Sequence, residues 1–283
     1  MPFLGNSYGF KRAKYAIQES EYVHMKYGNL VRIESPMNFR PPKLYIFDPD
    51  MCEKVYRAEG PQPLKHPLGD YSGIIQPFKA VQSKYNSTVG LFASQKSEWW
   101  NLRSRVQQPL LRPRNLLRYI EPLENNAIEF IDKKIRKHGD NDVNDNFLDD
   151  LYKWALENVG LIAYNKRLGC LDENLSRKSD QVILIEAVGA ILSQVSIILS
   201  GSVITKLSPI KTPTYKKFWK SYYTFNNIAS KYVHEALKEV REKGTRKTEP
   251  ILLELLKDKG CDESMLLAMA TDMTFGGIDG TSN

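Results

Sequence analysis

A mainly α-helical fold with a small β-sheet near its N-terminus is what this sequence predicts, and three observations carry the prediction. From about residue 95 onward, apolar side chains recur at intervals of three and four, the spacing that brings them to one face of a helix. Before that point two short runs, Leu30-Val31-Arg32-Ile33 and Lys43-Leu44-Tyr45-Ile46-Phe47, have the composition of strands, and Pro36 with the Pro41-Pro42 pair separates them as the arms of a hairpin. The chain is 283 residues long, 42% hydrophobic and 11% aromatic, enough to bury a sizeable core. On this pattern residues 1–95 form a β-containing N-terminal segment with a long irregular loop, residues 96–283 form the helical part, and the whole is one truncated domain.

After the hairpin, Asp48-Pro49 offers an N-cap followed by proline at the first helical position and opens a short helix through about Arg57. Residues 60–93 carry recurrent proline, glycine and serine with no long periodic stretch, and a loop of that length is often functional. Phe147, Leu148, Leu151, Tyr152, Ala155, Leu156, Val159 and Ile162 form one core-facing helical stripe. Phe218, Trp219, Tyr222, Phe225, Ile228, Ala229, Tyr232, Val233, Ala236, Leu237 and Val240 form a second, over six turns. The basic run at 241–247 reads as a solvated loop between helices. The longest apolar stretch, 182–204, is interrupted by Glu186, Gln194 and several serines, so it reads as a buried amphipathic helix and falls short of the roughly 20 apolar residues that cross a bilayer. A closing helix begins near Asp262 and runs through Met265, Leu266, Met269, Ala270 and Met273.

Composition narrows the partners. The net charge of +7 fits acidic partners or anionic membrane surfaces, because long-range fields concentrate opposite charge, and it fits a basic but ordinary soluble surface equally. No nucleic-acid partner is expected, since the lysines and arginines are dispersed over many helices and no reading motif accompanies them. Cys52, Cys170 and Cys261 are odd in number and far apart, which points to neither a disulfide framework nor a zinc site and fits a reducing compartment. The first ten residues have the form of neither a secretory signal nor an Arg-rich transit peptide, so no targeting segment is expected in this chain.

Two passages carry chemistry. In Glu98-Trp99-Trp100-Asn101-Leu102-Arg103-Ser104, Trp99 and Arg103 lie four residues apart on one helical face, where an indole N–H and a planar guanidinium can pair with an anionic group. In Gly276-Gly277-Ile278-Asp279-Gly280-Thr281-Ser282-Asn283, a glycine pair precedes a carboxylate and a hydroxyl, which lets a helix loosen beside a reacting ligand.

These passages, together with Leu151-Tyr152-Lys153-Trp154-Ala155-Leu156-Glu157 running to Arg167-Leu168-Gly169-Cys170-Leu171, resemble the haem-thiolate monooxygenases called cytochrome P450. Tyr56-Arg57-Ala58-Glu59-Gly60-Pro61-Gln62-Pro63 and Arg103-Ser104-Arg105-Val106-Gln107-Gln108-Pro109-Leu110-Leu111 resemble segments of its mitochondrial clan. The resemblance runs from about residue 27 to the end, and it implies the N-terminal part of the cytochrome P450 fold, ending in the helix that crosses the oxygen-binding face of the haem. On that resemblance Trp99 and Arg103 hydrogen-bond a haem propionate, and Gly276 and Gly277 open a groove for dioxygen. Asp279 and a neighbouring alcohol deliver protons. The alcohol departs from the family pattern: Gly280 follows the acid directly, and Thr281 comes one residue later, about 100° round the helix. Met273, Thr274 and Phe275 fall where substrate contacts are expected, as do residues 71–92 and 199–204.

The resemblance further implies haem iron as cofactor and dioxygen as co-substrate, a ferredoxin-type electron donor, and a lipophilic substrate such as a steroid or xenobiotic. It implies peripheral membrane contact and a mitochondrial location on the matrix side of the inner membrane. The family's iron-ligand cysteine sits in a glycine-containing loop preceded by phenylalanine, and none of the three cysteines has that context, so no metal ligand is expected in this chain. Because the chain stops inside a helical pattern with no cap signal, it reads as the N-terminal part of a longer protein. Two other classes compete with that enzyme: a truncated, non-catalytic helical binding protein that keeps only the scaffold, and a peripheral membrane protein that uses residues 182–204.

Overall fold

The computed structural model describes residues 16–34, 42–64, 80, 83–84, 89–136, 147–200, 212–243 and 262–282. The chain divides into two compact units, Met1–Pro63 and Leu64–Asn283.

The first unit is built on helix α1 (Ala16–Tyr27), strands β1 (Leu30–Ile33) and β2 (Lys43–Ile46), and helix α2 (Pro49–Glu59). Gly28, at φ +90°, ends α1 because its left-handed backbone carries no Cβ penalty, and its N–H donates to the His24 carbonyl at 2.8 Å. The strands pair antiparallel in the register Leu30 with Ile46 through Ile33 with Lys43. The His24 ring stacks on Phe47 with centroids 4.7 Å apart, closing α1 over the sheet end. Asp48 caps α2 as its place before Pro49 predicts: its Oδ1 accepts the Met51 N–H at 2.9 Å.

The second unit is helical. It contains α3 (Lys96–Leu111), α4 (Pro113–Phe130) with a π-helical turn Ile131–Ile135 at its end, α5 (Phe147–Tyr164), α6 (Asp180–Ser200), α7 (Pro213–Lys243) and α8 (Glu263–Ser282). Pro113 stands at the first position of α4, where its missing N–H has no intrahelical partner to lose. Asp262 caps α8, its Oδ1 accepting from Met265 N at 2.9 Å. Accepting those bonds, from the Ser264 hydroxyl first, holds the Asp262 carboxyl below its ordinary pKa.

Two helix pairings dominate the packing, α6 on α7 and α8 on α5. Their shared core includes Leu156, Leu184, Ile191, Phe218, Phe225, Leu266 and Ile278, all fully buried. The stripe on α7 is buried as expected at Phe218, Tyr222, Phe225, Ile228, Ala229, Tyr232, Val233 and Leu237. The stripe on α5 needs correcting at its start. Phe147 and Leu148 are exposed, Phe147 meeting Phe130 of α4 at 6.3 Å, and apolar core burial begins at Ala155.

The helix at 180–200 follows the buried-helix expectation as far as Val195, and no helix among the described residues is long and apolar enough to cross a membrane. Residues 201–204, residues 244–247 of the basic run, Cys261 and most of 71–88 lie outside the described residues.

Candidate functional site

Helix α3 enters the second unit through a tight turn. The Ala93 and Ser94 N–H groups both donate to the Gly90 carbonyl, at 3.3 and 3.0 Å, and the helix starts two residues later at Lys96. Leu102 and Val106 face the core, and Trp99 and Arg103, four residues apart, share the strip along the edge of that buried face. The Arg103 guanidinium lies over the Trp99 ring, 4.9 Å from its centroid. Trp99 is half-buried, Arg103 exposed, and Trp100 exposed about 100° further round. No ion pair of Arg103 occurs among the described residues.

Helix α8 supplies the second face. It carries three acids, Glu263, Asp272 and Asp279, and no base. Ile278 and Thr274 are fully buried, and Asp279 is half-buried beside them. Gly276, Gly280 and Thr281 are exposed, and a Cβ built on Gly276 or Gly280 would meet nothing within 4 Å. Gly277 is turned elsewhere, toward Val159 of α5.

The expected substrate residues separate into three environments. Met273 packs at the edge of the core. Thr274 is engaged inside the fold: its hydroxyl donates to the Ala270 carbonyl at 2.8 Å and pairs with the Tyr164 hydroxyl. Phe275 lies between Phe225 at 5.8 Å and the exposed Phe92 at 5.4 Å, forming a short aromatic wall. Phe92 belongs to the irregular segment that was expected to line a substrate site.

Asp272 is the site residue that sequence reasoning missed. Its Oδ2 accepts the Phe92 backbone N–H at 3.1 Å across 180 residues, and Gly90 lies so close that a Cβ there would sit 2.5 Å from Oδ1. The carboxylate thus holds the 90–94 turn against α8 one helical turn before Gly276. Seven residues separate it from Asp279, so the two acids share a helix face. Burial, and then the Asp272 charge, push the Tyr222 hydroxyl above its ordinary pKa, which places Asp272 at the junction with α7 as well. An acid in the middle of an apolar helix was the available signal; its partner was not legible.

Glu157 is the other such residue. Fully buried, it accepts from Leu168 N at 3.1 Å, Cys170 N at 2.7 Å and Arg167 Nε at 2.6 Å, organising the turn between α5 and α6. Burial first, and then the Glu157 carboxylate, push the Cys170 thiol well above its usual range, so it stays protonated. Cys52 is half-buried and its Sγ lies 3.6 Å from the Ile46 carbonyl. No metal-ligating cluster occurs among the described residues.

A small antiparallel sheet ahead of a helical body, closed by a helix with a Gly-Gly-x-Asp run, is the architecture of the N-terminal part of the cytochrome P450 fold. The family model for cytochrome P450 matches residues 1–283, and the chain belongs to that family. It is 29% identical over 290 residues to the probable mitochondrial cytochrome P450 301a1 of Drosophila melanogaster, covering 99% of this chain and 51% of that protein. It is 30% identical over 266 residues to the probable mitochondrial cytochrome P450 12d1 proximal of the same fly, covering 92% and 49%. Cytochrome P450 CYP12A2 of Musca domestica is 28% identical over 258 residues, covering 86% and 46%. The chain spans about half the length of the curated relatives it matches.

Proposed function

We propose that this chain is the N-terminal, oxygen-side portion of a haem monooxygenase that inserts one atom of dioxygen into a lipophilic substrate, steroid-like or xenobiotic. Its electrons come from a ferredoxin-type donor. The mitochondrial names of several relatives support a mitochondrial location; a place on the matrix side of the inner membrane and peripheral membrane contact belong to the same proposal. The observation that carries the proposal is the open face of α8 at Gly276 and Gly280, beside Asp279, in a chain that the family model matches throughout.

The residues present fit haem. A stacked indole and guanidinium on one face of α3, with no carboxylate paired to Arg103 among the described residues, suit a propionate. When bound, haem with a thiolate ligand supplies the activation of dioxygen. Trp99 and Arg103 orient the cofactor through its carboxylate. Asp272 holds the 90–94 turn in place, and Phe92 and Phe275, the latter backed by the buried Phe225, give an apolar wall against which a lipophilic substrate packs. Asp279 relays protons toward the ligand face.

Reduced carbon monoxide spectra of the full-length protein test this function. A thiolate-type absorption is expected, and it is expected to persist when Cys52, Cys170 or Cys261 is changed to serine. Absence of haem uptake, or loss of that absorption in any of the three variants, overturns the proposal.

Gly280 stands where the family has its alcohol, and space exists for one. Gly280→Thr is expected to raise the fraction of reducing equivalents recovered in product, because a hydroxyl next to Asp279 can hold a proton-carrying water. Product formed per reduced nicotinamide consumed measures it. An unchanged or lower fraction means that Thr281 or a substrate hydroxyl already serves.

A further inference from the structure

Two contacts tie α8 to α5 away from the exposed glycines of its open face. A methyl group built on Gly277 would collide with Cγ2 of Val159, so the helices approach as closely as they do only because residue 277 has no side chain. One turn earlier the buried hydroxyls of Thr274 and Tyr164 meet, Thr274 also donating to the Ala270 carbonyl at 2.8 Å. Val159 precedes Tyr164 on α5 while Gly277 follows Thr274 on α8, so the two helices run antiparallel through these pins. One pin is steric and the other polar. Together they set both how close α8 lies to α5 and how far it is rotated about its own axis.

The rotation matters for the face that carries chemistry. Ile278 and Thr274 point into the core, and Gly276 and Gly280 lie two residues to either side of Ile278, hence about 200° round and nearly opposite. Asp279 sits between, about 100° from Ile278. A shift of α8 away from α5 carries Asp279 and both exposed glycines with it.

We infer that Gly277 and Tyr164 are positioning residues of the proposed oxygen site: neither touches the ligand, and both fix the depth and rotation of α8 that present Asp279 to it. This rests on the monooxygenase proposal above. It assigns Gly277 to helix packing against Val159 and leaves Gly276 and Gly280 as the glycines of the open face.

The test is a double-mutant cycle in the haem-loaded full-length protein, with Gly277→Ala, Val159→Ala and the pair together. The readouts are the thermal unfolding midpoint and the partition of reducing equivalents between product and released hydrogen peroxide. Gly277→Ala is expected to lower the midpoint and the product share. Adding Val159→Ala is expected to bring both back to the level of Val159→Ala alone, since the smaller side chain vacates the space that the new methyl needs. Gly189→Ala, on α6 where a Cβ meets nothing within 4 Å, controls for helix propensity and is expected not to lower the midpoint.

Tyr164→Phe keeps the ring and deletes the hydroxyl; it is expected to lower the product share with haem uptake intact, a change that loss of bulk stability alone does not produce. A double variant no better than Gly277→Ala, or a product share unmoved by Tyr164→Phe, overturns the inference. Failure of the monooxygenase proposal shows separately, as absence of the thiolate-type absorption in the unmodified protein, and leaves the unfolding arm of the cycle readable.

Discussion

Changing Arg103 to alanine is expected to release haem from the full-length protein faster than any other single change on α3. A hydrogen bond to a charged group contributes roughly 1.5–3 kcal/mol, and a guanidinium presents two parallel donors to one carboxylate. The structure adds that the Arg103 guanidinium lies 4.9 Å over the Trp99 ring. That contact contributes on the order of 0.5–1 kcal/mol at an exposed site and, more importantly, aims the fork. Trp99→Phe keeps a ring beneath the guanidinium and loses only the indole N–H donor, so its haem loss is expected at an intermediate rate. Trp99→Ala removes donor and platform together and is expected to approach Arg103→Ala. Trp100, about 100° further round and exposed, serves as the control. Transfer of haem to an acceptor apoprotein gives the order directly. Faster release from Trp100→Phe than from Trp99→Phe would show that the wrong face of α3 has been assigned to the propionate.

Removing the Glu157 carboxylate is expected to be the most damaging change to stability. Its two oxygens satisfy the Leu168 and Cys170 N–H groups inside the core and anchor Arg167, which reaches Glu129 at 2.5 Å on its other side. Each buried N–H left without an acceptor costs about 1–3 kcal/mol, so Glu157→Ala is expected to lose several kcal/mol, a large part of an ordinary folding free energy. Glu157→Gln retains one acceptor oxygen and is expected to fall between Glu157→Ala and the unmodified protein. Denaturant unfolding of the full-length protein followed by circular dichroism measures the series. Equal midpoints for Glu157→Gln and the unmodified protein would mean that only one of the carboxylate oxygens contributes. The network around this carboxylate also reaches solvent. The Lys133 and then the Arg167 hydrogen bonds hold the Glu129 carboxyl below its ordinary value. Its contribution is therefore present above the unfolded carboxylate pKa of about 4.3 and fades as pH falls through the lower folded value, although exposure keeps it small.

Much of this molecule is written locally. The caps Asp48 and Asp262 and the buried stripe on α7 depend on residues a few positions apart, and the strands at 30–33 and 43–46 pair across a short connection, partners lying 10 to 16 residues apart. The Trp99 and Arg103 pair belongs here too, because a separation of four residues fixes its geometry as soon as a helix forms.

What the sequence left open is which face of each helix meets which neighbour. Asp272 finds its partner 180 residues away, Glu157 gathers donors from a loop beyond the end of its own helix, and Phe147 continues an apolar stripe yet stays exposed at the start of α5, with Phe130 beside it. Gly277 makes the same point most sharply. In sequence it is paired with Gly276 ahead of an acid, and nothing there distinguishes the two. Only the packing of α8 on α5 separates them, because the free energy of a close helix approach depends on the side chain opposite, and Val159 lies opposite Gly277 alone.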